Sequence, residues 1–319
     1  MKILPWMVLS SAALLLAGCG GGDDSSVQTS KVSFSVSDAP VDSASSVTIG
    51  FTQVELVQAD GSSIYLDVNP SDPSMDYEQI DLMDYQGTDS KLIITSQSIP
   101  VGTYKNLILH ISTESNVNFV VDEDGTQALK QPSNKLQLGS FTVSDEATQA
   151  FTIEFDLRYS LVMRGSSGSS GSTNGYILKP HGVSIVSNDE ATSLSGTVDP
   201  TLFDEGTCSL STGKYVYLYQ GSVAASTLGD LVDESDSEFN TVVPDGVVSP
   251  YSSTEVADDG SYAFGYLPEG DYTVAFNCDG DDDSSIQYDG LTIPNPDGQV
   301  AEVTLTVGTT STVNFTPVL

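Results

Sequence analysis

The sequence predicts an all-β chain: two consecutive β-sandwich domains behind an N-terminal secretory leader. Three observations carry this. Short runs alternate apolar and polar residues with period two and are separated by Gly, Pro, Asp and Asn turn signals. No window after the leader holds a convincing helical period. The charge balance changes abruptly near residue 190. Of 10 basic residues only Lys214 lies beyond Leu194, against 21 of the 44 acids. A step of this kind predicts two domains with different surfaces.

The leader comes first. Met1-Lys2 supplies positive charge, Ile3 to Leu16 is almost unbroken in apolar character, and the small pair Ala17-Gly18 precedes Cys19. The run is too short for a spanning helix and has the order of a signal peptide, placed at residues 1–18. Leu16-Ala17-Gly18-Cys19 resembles the lipobox of bacterial lipoproteins. The resemblance implies a diacylglycerol on the Cys19 thiol, cleavage before it, acylation (palmitate) of the new amine, and a membrane partner reached through that lipid. The alternative is an ordinary leader with an incidental cysteine. Residues 19–30 are small and polar and predict a flexible tether. Gly20 follows the cysteine, where aspartate would signal inner-membrane retention, so resemblance to Gram-negative lipoproteins implies the outer membrane, in either leaflet.

Residues 31–188 form the first predicted sandwich. Val32, Phe34 and Val36 alternate, as do Val47, Ile49 and Phe51 before the phase slips to Val54 and Leu56, which predicts a bulge. Further strands are expected at Ile64 to Val68, at Val117, Phe119 and Val121, and at Phe151 to Leu157. Asp122-Glu123-Asp124-Gly125 is a hairpin turn. Single helical turns are expected around Asp76 to Asp84 and Thr227 to Asp233. Gly165 to Gly175 is expected as a long hairpin loop, because Tyr159 to Met163 and Tyr176 to Lys179 are both strand-like. Ser187 to Ser193 is the polar boundary.

The second predicted sandwich is 194–319, with strands at Leu194 to Val198, Tyr215 to Tyr219, Ala263-Phe264, Thr273-Val274, Val303 to Val307 and Val313 to Phe315. One pattern links the halves. Ile99-Pro100-Val101-Gly102-Thr103-Tyr104 and Leu267-Pro268-Glu269-Gly270-Asp271-Tyr272 share apolar-Pro-x-Gly-x-Tyr, a tight turn into a strand anchored by tyrosine.

Two further resemblances concern the domains. Asp258 to Val274, with Ser195 to Val198, resembles the carboxypeptidase regulatory-like, or prealbumin-like, Ig-like sandwich, which implies an accessory, non-catalytic module. SDAPVD at Ser37 to Asp42, FTQVEL at Phe51 to Leu56, DLMDYQG at Asp81 to Gly87, Ile99 to Ile111, FDLRYSLV at Phe155 to Val162 and GYILKP at Gly175 to Pro180 resemble a lipoprotein domain of unknown function, number 4382. That family implies no activity.

Composition excludes several function classes. A net charge of -34 repels phosphate backbones and anionic headgroups, so nucleic acid is not an expected partner. Cys208 and Cys278 are an even pair in an exported chain and predict a disulfide worth up to about 4 kcal/mol, with two free buried thiols as the alternative. Trp6, the only tryptophan, lies in the leader, so sugar stacking would fall to tyrosines. His110 and His181 are the only imidazoles, and both are expected to be structural. No GxSxG, HExxH or phosphate loop is present. Asp279, Asp281 and Asp283 fall at positions 1, 3 and 5 of a calcium-loop pattern, but Ser284 replaces its glycine and Gly290 its closing glutamate. The loop is either a Ca2+ site or a solvated acidic turn. Asp38 and Asp42 are expected as turn residues. The expectation is a non-catalytic outer-membrane module that binds an envelope protein or extracellular polymer. The alternatives are a calcium-dependent adhesive or polysaccharide-binding protein, and a hydrolase with two carboxyls facing each other across a cleft at about 5 to 9 Å.

Overall fold

A computed structural model describes residues 27–39, 44–131, 133–164, 175–204, 208, 213–281 and 283–317. The signal peptide, Cys19, most of the tether, Asp42, Asp282 and the body of the Gly/Ser loop lie outside the described residues. No helix among them is long and apolar enough to cross a membrane.

The chain is nearly all β. In the first half, strands Val183–Ser187, Thr148–Asp156, Thr29–Ala39 and Lys91–Pro100 form one sheet in that order. A second sheet runs through Lys135–Gln137, Asn106–Ile111, Ser46–Val57, Phe119–Asp122, Gly125–Lys130, Tyr176–Leu178 and Leu161–Met163. The apolar faces meet in one core, where Phe51 and Phe155 approach at 6.1 Å and Phe34 stacks on Phe151 at 5.8 Å. In the second half, Ser261–Leu267, Thr192–Thr197 and Thr310–Thr312 form one sheet. Ser252–Glu255, Tyr215–Gln220, Gly270–Asn277 and Val300–Leu305 form the other. Leu194, Tyr262 and Phe264 pack there against Val216, Leu218, Val274 and Phe276. Among the described residues, none of the strand pairings joins 29–187 to 192–312.

Alternation predicts the first strand, the bulge after Phe51 and the hairpin closed by the Asp122 and Gly125 pair. Three expectations are corrected. Thr29 and Ser30 pair with Pro100 and Ile99, so the tether ends before residue 29. In the strand Phe119–Asp122 it is Val120 that is buried, because the run restarts its phase after Val117. Leu157–Ser160 is one helical turn and only Leu161–Met163 is strand. The expected turns near Asp84 and Thr227 are 3-10 turns at Leu82–Asp84 and Ala225–Thr227. Both sides of the Gly/Ser loop pair as a hairpin, with Arg164 N–H donating to the Gly175 carbonyl at 3.0 Å.

The repeated turn has one geometry in both halves. Gly102 and Gly270 each sit at φ 152°, outside the range that L side chains favour. Four residues back from each tyrosine, the Pro100 carbonyl accepts from the Tyr104 hydroxyl at 2.8 Å and the Pro268 carbonyl from Tyr272 at 2.9 Å. This is the geometry of a tyrosine corner. Cys208 and Cys278 are disulfide-bonded, with Cα atoms 5.4 Å apart.

Tyr272→Phe keeps the buried ring and deletes one hydrogen bond, so urea unfolding should show a loss of about 1 kcal/mol. Tyr104→Phe should lose a similar amount. An unchanged midpoint in both would mean that the hydroxyls contribute nothing.

Candidate functional site

The site grows from the end of one strand. In Thr148–Asp156, Phe151, Ile153 and Phe155 face the core, which leaves Glu154 and Asp156 on the other face. Asp156 then caps the turn Leu157–Ser160, its carboxylate accepting from Tyr159 N–H at 3.2 Å. The turn carries Arg158 and Tyr159 out of the first half and into the second, where both are buried.

Arg158 meets the outer face of the strand Tyr215–Gln220. Its guanidinium lies 3.5 Å over the centre of the Tyr215 ring. Nη1 donates to Ser253 Oγ at 3.2 Å, and Nη2 donates to the Gly280 carbonyl at 3.0 Å. Gly280 is required there, since a Cβ would stand 2.6 Å from the Tyr215 ring. A guanidinium does not shed its proton, so its burial demands a counter-charge. Asp283 supplies it at 3.6 Å with its side chain 0% exposed. The Asp283 carboxylate also accepts from the Tyr217 hydroxyl at 2.6 Å and from Leu231 N–H at 3.1 Å. Burial pushes the Asp283 carboxyl up to about 7, against the pull of Arg158 and the Tyr217 bond.

A second set of charges lines the edge of the contact. Arg164 pairs with Asp236 and Glu238, each at 2.7 Å. Lys179 pairs with Asp233 at 2.5 Å and with Asp236 at 2.8 Å. Burial works against the Asp236 charge, yet the bonds from Arg164 and Lys179 hold its carboxyl far below the usual range. Tyr159 donates to the Pro250 carbonyl at 2.7 Å, Ser252 to Asp156 at 2.8 Å, and Tyr266 to the Thr88 carbonyl at 3.0 Å.

Beside these contacts a cleft of about 430 Å³ opens between the halves. Asp38, Glu154, Asp156, Tyr159 and His181 line it from the first half, and Tyr251, Ser252, Phe264 and Tyr266 from the second. Burial pushes Asp38 well above the usual carboxyl range, helped by the charges of Glu154, Asp156 and Asp81. Burial does the same to Glu154 and raises Asp156 to about 6.

Several expected site residues fall elsewhere. Cys19 lies outside the described residues. Asp279 and Asp281 are exposed while Asp283 is turned inward onto Arg158, so the three carboxylates do not form a calcium loop. Among the described residues, no three His, Cys, Asp or Glu side chains are grouped to hold a metal ion. Asp38 is no turn residue: it continues the first strand and is fully buried. His110 pairs with Glu55 at 2.8 Å, and His181 packs edge-on to Tyr159. The sequence reading missed Glu154, Asp156 and Arg158. Their signal was Glu-x-Asp-x-Arg on the polar side of the cleanest strand.

With this geometry in view, comparison with known proteins adds one firm point. Residues 29–180 match a family model described as Domain of unknown function (DUF4382). The matched stretch holds the acids of the cleft together with Arg158, Arg164 and Lys179. No curated protein matches the chain. Among solved structures, it is similar to GBS52, the minor pilin of Streptococcus agalactiae, at 10% identity and a TM-score of 0.20, covering 90% of this chain and 98% of that one. It is also similar to the shaft pilin spaA of Lactobacillus rhamnosus GG, at 10% identity and a TM-score of 0.20, covering 91% and 99%. For the Bacillus anthracis TIE protein the values are 11% and 0.20, and the chain spans only 33% of that protein's length. Scores this low do not superpose the chains, and no name transfers from them.

Asp156 holds a proton in the fold that the unfolded chain releases near 3.8. Its stabilisation is full below that value and is lost as pH rises through about 6. The depressed carboxyls Asp236, Glu55 and Glu78 act oppositely, losing their contribution only as pH falls below the ordinary carboxylate range. Thermal midpoints should therefore fall from about pH 5 to about pH 8, and Asp156→Asn should flatten that slope. A wild-type midpoint that rises over the same interval would contradict the assignment. Asp283→Asn strands a buried guanidinium and should cost about 3 kcal/mol in urea unfolding, with Arg158→Met added to it restoring part of the loss.

Proposed function

We propose that this is a lipid-anchored, non-catalytic module of the bacterial outer membrane that presents a rigid two-part body to an envelope protein or an extracellular polymer. The observation that carries the reading is the set of charged side chains crossing between the halves. Arg158, Arg164 and Lys179 engage Asp283, Asp236, Asp233 and Glu238, several of them buried. Separating the halves would strand these charges, so the body resists hinging. A stiff spacer on a lipid tether suits holding a surface away from a membrane.

The bonds that already occupy Asp156 in the cleft support the absence of catalysis. Asp156, raised only to about 6, already accepts from Tyr159 N–H and Ser252 Oγ. The lipobox resemblance at Cys19 and the charge of -34 support the anchor and the absence of a nucleic-acid partner.

The test is metabolic labelling with a palmitate analogue, followed by membrane fractionation. The wild-type chain should be labelled and sediment with outer membrane, and Cys19→Ala should lose the label and leave the membrane fraction. Wild-type chain that stays unlabelled and soluble would overturn the anchored reading. Small-angle scattering of the protein tests rigidity separately. One extended particle with an unchanged radius from low salt to about 0.5 M is expected, because buried pairs are screened far less than exposed ones.

A further inference from the structure

Asp38 and Glu154 line the cleft, and three of their buried acceptor atoms, Asp38 Oδ1, Asp38 Oδ2 and Glu154 Oε2, have no hydrogen-bond partner among the described residues. Asp38 is 0% exposed. The Leu157 N–H lowers its carboxyl a little, from outside ordinary hydrogen-bond geometry. Buried acceptors are satisfied in folded proteins with few exceptions, and each exception calls for a cause. Asp156, on the same wall, is satisfied by Tyr159 and Ser252. Among the acids that line the cleft, the deficit therefore belongs to Asp38 and Glu154.

We propose that the cleft between the two halves binds a small organic ammonium ion, held by Asp38 and Glu154. The nearby cations of the protein, Arg158, Arg164 and Lys179, are already engaged with Asp283, Asp236 and Asp233. An ammonium group brings three donors and no acceptor, which complements three unfilled oxygens. Its charge restores both acids to their ionised form, and charge-assisted bonds are about twice as strong as neutral ones. Tyr251 and Tyr266 of the second half also line the cleft, and aromatic rings attract cations.

The space selects an organic cation over a bare metal. A volume of about 430 Å³ lies in the range of small-molecule sites. Among the described residues, no three ligating side chains converge on one point. A net charge of -34 draws cations toward the molecule and repels anions. The ammonium could arrive on a free amine or on a lysine side chain, and the chemistry at Asp38 is the same. The inference is independent of the anchoring and scaffolding reading and depends on the cleft alone.

Titration calorimetry on the full-length protein in detergent tests it with four probes: 1,5-diaminopentane, N-acetyl-lysine methylamide, 1,5-pentanediol and calcium chloride. At least one of the two amines should saturate, and the uncharged diol should not. Tighter binding of the diamine would mark a free amine as the source, and tighter binding of the lysine amide a side chain. Asp38→Asn and Glu154→Gln should each weaken amine binding about tenfold, the loss of one charged hydrogen bond. Neither should lower the thermal midpoint of the empty protein. If Asp38→Asn does not fold, Glu154→Gln carries the comparison. Failure of both amines to saturate would overturn the proposal. So would equal binding of the diol, binding of calcium alone, or variants that bind amines as the wild type does.

Discussion

One permanently charged group, the Arg158 guanidinium, sits where two sandwiches meet, and much of the surrounding structure answers to it. It cannot be neutralised, so Asp283 is drawn inward to balance it. That pull folds the acidic segment after Cys278 against the sheet. Gly280 must lack a side chain because the same guanidinium presses on Tyr215 and bonds to the Gly280 carbonyl. The capping bond of Asp156 sets the helical turn that delivers the arginine. A carboxylate at a strand end thus determines how two domains face each other.

The strand Tyr215–Gln220 shows the consequence for packing. Val216 and Leu218 enter the core of the second half, while Tyr215, Tyr217 and Tyr219 form a separate cluster with Tyr159, Leu231 and Ile293. Both faces are buried, and its first five residues are too. Tyrosine suits the outer face because its ring fills apolar space, and two of the three hydroxyls reach a partner: Tyr217 donates to Asp283 and Tyr219 to the Gly229 carbonyl at 2.7 Å. The charge step along the chain has a related meaning. Arg158, Arg164 and Lys179 of the first half are partners for acids of the second, so part of the imbalance is complementarity across an interface. In the cleft beside it, Asp38 and Glu154 gather, and burial drives them toward the neutral form.

Much of the fold was legible. Period-two alternation located most strands, the Pro-x-Gly-x-Tyr pattern marked two equivalent corners, and the even pair Cys208 and Cys278 marked the disulfide. These are local signals, or pairings among very few candidates. The errors have a common source. Alternation predicts strand over Phe151 to Leu157 and over Tyr159 to Met163, but Asp156 captures the Tyr159 N–H and closes a turn. The spacing of Asp279, Asp281 and Asp283 suggested one cation site, but an arginine 125 residues earlier in the chain took the third carboxylate.

By itself the sequence determined an all-β architecture, the positions of most of its turns and a strongly acidic composition, because alternation, turn chemistry and charge are properties of neighbouring residues. Tertiary structure decided which acids remain in water and which are buried, which strand face meets a partner, and where a cleft opens between the halves. Those outcomes depend on groups far apart in the chain being brought within a few ångströms, where burial and opposite charge outweigh local preference.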